Sequence, residues 1–260
     1  MHNSEQYKRF LNRLGYYNYQ EGLIYRHLKQ KEGWHSHLNN CRNYILKAVN
    51  IVKPAKVTLL GSGWLLDFPL QEIVEMNIPV TLIDIVHPPE AVKQVSVLRN
   101  VEIIEDDITG GLVHEIWRKT GSIPIFRKLK TLDDIKIPRF RFKGDPGLVI
   151  SLNILSQLDV LPVKYLKKKS SMEESQFTCF REEIQRKHVE CLQKYNSVII
   201  TDTEEIFFNR SGESSVVKSI ISEIPEGNYK EEWTWDFDLK GSDYNQKKSI
   251  LKVTAVLYLE

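Results

Sequence analysis

The stretch KVTLLGSGWLLDFPL, residues 56–70, sets an apolar run directly against Gly61 and Gly63, with Ser62 between them. A glycine at positive φ ends a strand in a tight turn, and a second one lets ligand atoms come close to the backbone. That is the chemistry of a nucleotide-binding turn. Leu65, however, stands where a third glycine would continue this alternation. Asp84 follows Gly63 by 21 residues, about the interval at which a carboxylate meets a ribose diol. Asp106 and Asp107 close another apolar run; they either face a ligand or cap the following turn through backbone hydrogen bonds. His188, in a helical stretch, is either a base or a half-buried helix residue, and His87 lies nearer the expected site. Cys41, Cys179 and Cys191 form no C-x-x-C pair, so no metal centre is expected.

These residues need elements to hold them. Residues 1–53 read as helices without strand signal: SEQYKRFLNRLG begins on a capping Ser4 and stops at Gly15, and two further stretches carry apolar residues at helical spacing. Pro54 ends this region. Near-continuous apolar runs then recur as KVTLLG, VTLIDIV, VEIIEDD, GLVISL and SVIITDT, each far enough from the next to leave room for a helix. Such runs suit a parallel sheet covered on both faces. SSVVKSIISEI reads as a further helix after the fifth strand, and Pro69 places a helix start at residues 67–69. EEWTWDFDL and SILKVTAVLYL, joined by a short turn, read as an antiparallel hairpin. The expected organisation is an α/β, Rossmann-like doubly wound sheet of about seven strands in residues 54–260, with an N-terminal helical extension in residues 1–53.

Five βα units closed by an antiparallel hairpin, with LLGSG after the first strand and Asp84 ending the second, resemble the class I S-adenosylmethionine-dependent methyltransferases over residues 56–259. The resemblance implies S-adenosylmethionine as cofactor. It places the Gly61, Ser62 and Gly63 turn against the methionine part, Asp84 with Ile85 at the ribose, and Asp107 with Ile108 at the adenine. Asn153, in LVISLNILSQL after the fourth strand, joins the set. The chain departs from the pattern at Leu59, where the family usually has an acid, and at Leu65, which would crowd a close ligand. Trp64 either covers one side of the pocket or fills the core, the latter slightly favoured. Asp67 would repel a pyrophosphate but tolerates a sulfonium and an ammonium, which disfavours a dinucleotide.

The methyl acceptor is open. From Arg118 to Lys143 there are nine Lys or Arg residues against Asp133 and Asp134, within an expected basic insertion at 112–147. With Phe126, Phe140 and Phe142 interleaved, that segment either follows an RNA backbone or is a solvated insertion with a few packed aromatics, the reading favoured here. A non-catalytic binding module of the same fold is the main alternative to an enzyme. A net charge of +2 is too small to argue for nucleic acid by itself. No apolar run reaches membrane-spanning length and no signal peptide stands out, so a cytoplasmic protein is expected.

Overall fold

The structure, a computed structural model, describes residues 5–120, 129–241 and 247–260. Three helices come first: α1 (Glu5–Leu14), α2 (Tyr16–Lys29) and α3 (Lys31–Val52). The sheet follows, with β1 (Val57–Leu60), β2 (Val80–Asp84), β3 (Val101–Glu105), β4 (Leu148–Leu152) and β5 (Ser197–Phe208). Between these strands lie α4 (Leu70–Glu75), α5 (Pro89–Val95), α6 (Leu112–Thr120), α7 (Val160–Lys169) and α8 (Glu174–Leu192). The chain closes with β6 (Ser214–Lys218), β7 (Tyr229–Asp238) and β8 (Lys248–Tyr258).

The strands lie in the order β3-β2-β1-β4-β5-β8-β7, with β6 added along β5. β1 to β5 pair in parallel, while β8 is antiparallel to both β5 and β7. This is the class I methyltransferase fold that the resemblance implied. Every residue of β1, β2 and β4 is buried, as expected of central parallel strands with helices on both faces. Alternation along β1 sends Leu59 to one core and Leu60 to the other. The order reverses between β1 and β4, and the crevice beyond their carboxyl ends is where such sheets place ligands.

The N-terminal helices are built into this body. α1 puts Tyr7, Phe10, Leu11 and Leu14 into the core that holds Leu60, and α3 puts Trp34, Tyr44, Ile45 and Val49 into the core that holds Leu59. Each such side chain contributes about 2 kcal/mol when taken from water. α2 differs, since none of its residues is buried. It runs between two breaks, a left-handed Gly15 (φ 101°) and Gln30 (φ −135°, ψ 36°). The Gln30 amide holds the second break by donating to Asp238 and accepting the Leu239 N–H.

Two expectations are corrected. SSVVKSIISEI is not a helix: its first part forms β6, paired antiparallel with Glu204–Phe208 of the long β5, and residues 219–228 have no regular element. The β-branched valines suit the extended pairing, while Gln185 accepts the N–H groups of Ile221 and Ser222 and fixes the chain beyond it. α4 starts at Leu70, with Pro69 as its cap residue, so Asp67 lies outside the helix. Capping Ser4 and Phe126 of the basic insertion lie outside the described residues. Within the described part of that insertion, Leu132 and Ile135 are buried. Phe140 and Phe142 pack on the same core, edge-on to each other at 5.0 Å, with Phe142 edge-on to Tyr195 at 5.2 Å. Phe140 and Phe142 are thus half-buried against this core.

Candidate functional site

β1 ends where Gly61 (φ 80°) turns the chain, its N–H still bonded to the Ile83 carbonyl at 2.9 Å. A Cβ on Gly61 would lie 2.7 Å from that of Ile154, so only glycine lets the turn press against the end of β4. Gly63 (φ 41°) aims its N–H at Asp84 Oδ2, 2.9 Å away, and the Ile85 N–H reaches Oδ1 at 2.7 Å. Burial pushes the Asp84 carboxyl up to about 6 in spite of these bonds. The Ser62 hydroxyl pairs with His87 Nε2 at 2.8 Å, behind the turn. Leu65 itself takes a left-handed conformation (φ 57°), and its side chain enters the core beside Leu59. It therefore does not crowd the crevice. Trp64, expected to fill the core, lines the crevice instead and donates its indole N–H to the Gln20 carbonyl.

A cavity of about 430 Å³ opens above these strand ends, a size suited to a small molecule or cofactor. Gly61, Ser62, Gly63, Asp84, Ile85, Asp107, Ile108 and Asn153, the residues singled out in the sequence, all line it. Asp107 also caps α6: Oδ1 accepts the Thr109 N–H and hydroxyl, and Oδ2 accepts the Val113 N–H at 2.9 Å. Three of its roughly four lone-pair positions are thereby used, which leaves one for a ligand. Asp106 accepts the N–H of Asp107 and shapes the same turn.

Asn153 sits at a left-handed φ of 49° just past β4 and donates its amide to Asp67 Oδ2 at 2.7 Å. His37 and Cys41, one turn apart on α3, complete a cluster with Asp67 whose N, S and O atoms lie within 4.8 Å of one another. A metal could use such a set. But the Trp233 indole, which only donates, reaches His37 Nδ1 at 3.1 Å, so the imidazole proton is on Nε2. That nitrogen faces the cluster and, protonated, cannot ligate a metal. Nε2 and the Asn153 amide nitrogen are 3.0 Å apart. Two donors this close need a shared acceptor, and the Asp67 carboxylate is at hand. Burial drops the His37 pKa to about 3, so the ring stays neutral.

The far side of the cavity was not legible beforehand. Trp34, Trp235 and Phe237 form an aromatic wall: Trp235 meets Trp34 edge-on at 4.7 Å, Phe237 at 4.9 Å, and stacks flat on His37 at 3.7 Å. The Trp235 N–H is buried with no partner among the described residues. Facing the wall are Ser156, Gln157, Arg181 and Asp202. Asp202 is buried beside a register shift in β5, accepts the Ser156 hydroxyl at 2.5 Å, and is pushed up by desolvation. Arg181 is bound to Asp159 at 2.5 Å. The alternation of Trp233, Trp235 and Phe237 along one strand face was the available signal for the wall; Asp202 and Ser156 meet only through the fold. α2 roofs the cavity with Tyr16, Tyr19, Gln20, Leu23 and Arg26, and the Tyr19 hydroxyl donates to Gln157 across it. His188 is not on the cavity; it is buried against the Ser151 hydroxyl at 2.9 Å.

No family model matches this chain, and no curated protein matches it in sequence. Among solved structures it is similar to the 1,6-didemethyltoxoflavin-N1-methyltransferase of Burkholderia thailandensis with bound 1,6-didemethyltoxoflavin and S-adenosylhomocysteine. That match has 10% identity, a TM-score of 0.41, and covers 92% of this chain and 87% of that one. The methyltransferase domain of bacterial CtHen1-CN matches at 9% identity and a TM-score of 0.38, over 85% of this chain and 99% of that one. The glycopeptide N-methyltransferase MtfA matches at 11% and 0.32, over 85% and 73%. At these scores the likeness carries no argument of its own, and the fold rests on the strand order above. No helix among the described residues is long and apolar enough to cross a membrane.

Proposed function

We propose that this chain is an S-adenosylmethionine-dependent methyltransferase acting on an acceptor with a flat or apolar part and a transferable proton. The observation that carries the reading is the Asp84 carboxylate. It is held by two backbone N–H groups, lines a cavity of cofactor size, and sits beside the point where the strand order reverses. With the Val86 N–H also acting on it, roughly one of its four lone-pair positions stays open for a ribose hydroxyl. Beside Gly63 a Cβ would only touch the Gln20 amide, 3.6 Å away, so the turn is covered by a flexible side chain of α2.

When bound, the cofactor supplies a methyl group activated on a sulfonium. The chain has to align the acceptor, exclude water and remove a proton. In this reading the Trp34, Trp235 and Phe237 wall holds the flat part of the acceptor, and the orphaned Trp235 N–H is the donor that a polar acceptor atom would satisfy. Asp202 lines the cavity, and desolvation makes its ionised carboxylate a stronger base, so in that form it would take the proton. A cavity lined by titratable groups speaks for this reading over a non-catalytic module, and the inward packing of Phe140 and Phe142 speaks against an RNA acceptor gripped by the basic segment.

The test is calorimetric titration of the protein with S-adenosylmethionine and S-adenosylhomocysteine. Dissociation constants on the order of micromolar are expected. No detectable heat or thermal stabilisation with either ligand overturns the enzyme reading in favour of the binding module.

A further inference from the structure

Leu59 stands where the family usually has an acid, and its side chain is fully buried among Leu82, Ile150 and Ile200. It offers the crevice nothing polar. Asp67 brings a carboxylate to the same crevice from the other side of the turn. Three elements converge there: the Gly61 backbone pressed on Ile154, Asn153 just past β4, and the loop before α4.

The charge of Asp67 is poorly compensated. Its one side-chain hydrogen bond among the described residues is to the neutral Asn153 amide, and the nearby His37 is neutral as well. No ion pair to Asp67 is found among the described residues. Arg42 is the cation in its neighbourhood, and that guanidinium is directed at the Leu66 carbonyl, 2.7 Å away. A half-buried carboxylate met only by neutral donors is costly until a cation joins it. Desolvation raises its pKa accordingly.

We infer that Asp67 is the ammonium-binding residue of this site, taking the α-amino group of the cofactor's methionine part in place of the acid that Leu59 replaces. This rests on the cofactor reading above. The ammonium would meet the carboxylate that the Asn153 amide holds in place, so that a charge-assisted bond forms within the cavity. The same carboxylate repels a pyrophosphate, so Asp67 also selects against dinucleotides.

The test is a protein–ligand cycle on the full chain. S-adenosylhomocysteine, its deaminated analogue 4-(S-adenosyl)thiobutyrate, and 5′-methylthioadenosine are titrated into wild type and Asp67→Asn. S-adenosylhomocysteine is expected to weaken about tenfold or more in the variant, the other two about twofold at most. Unchanged methylthioadenosine binding also certifies that the variant site is folded; if Asp67→Asn does not fold, Asp67→Ser takes its place. Equal weakening of all three ligands, or none, overturns the assignment while leaving the cofactor reading intact. Failure of wild type to bind any of them overturns both.

Discussion

Asp84 accepts the Gly63 N–H at 2.9 Å, so a carboxylate at the end of one strand fixes the turn at the end of its neighbour. In the proposed cofactor reading, ligand recognition and loop geometry would share this one side chain. Asp84→Ala should weaken S-adenosylhomocysteine by about tenfold or more, since a charged acceptor is lost and the Gly63 N–H is set free. Calorimetry measures the loss. An affinity within about twofold of wild type would show that the ribose is held elsewhere.

The buried titratable groups pull stability in opposite directions with pH. Asp84 is raised to about 6, so the folded state holds a proton that the unfolded chain has released. Its contribution is fully present below about pH 4 and is lost as pH rises through about 6, about 3 kcal/mol at most. His188 is lowered to about 4, so its contribution is present above about 6.5 and is lost as pH falls toward 4, by a similar amount. Asp84→Asn should steepen the loss of stability on acidification between pH 6.5 and 4, and His188→Gln should flatten it. Urea denaturation at several pH values reads both slopes.

Gly61 and Gly63 should differ in their tolerance of a methyl group. At Gly61 a Cβ meets Ile154 at 2.7 Å and the backbone is left-handed, whereas at Gly63 the backbone penalty acts almost alone. Gly61→Ala should cost about 2–4 kcal/mol and Gly63→Ala about 1 kcal/mol. Thermal unfolding gives the order, and equal costs would show that Ile154 moves aside freely.

Phe142 packs between Phe140 and Tyr195, and Arg139 in the same segment is paired with Glu190. Phe142→Ala should lower stability by about 2 kcal/mol and leave any RNA binding at low salt unchanged. A loss of RNA affinity without a loss of stability would restore the basic segment as a nucleic-acid surface.

The parallel core was legible because β1, β2 and β4 are buried on both faces and read as unbroken apolar runs. The turn and Asp84 were legible because glycine conformation and strand-end spacing are local properties. β6 was misread: its paired valines lie on an exposed extension of β5, where no core imposes a period. Leu65 was misread because its backbone can follow a glycine-like path while its side chain turns into the core. The sequence shows Asp67 as a charge that repels a pyrophosphate and tolerates cations, but not its partner, since Asn153 is 86 residues away. Asp202 and Ser156 are likewise neighbours only in the folded chain.

α2 supplies much of the roof of the cavity yet buries none of its own side chains in a core, and it is fastened by the Gln20 and Tyr19 contacts and by its two end breaks. Substitutions at Tyr19, Leu23 or Arg26 reshape the chamber with little effect on the stability of the body beneath. If the cavity holds an acceptor as proposed, its shape can change on this helix without disturbing the strand-end turns, whose residues also hold the fold together.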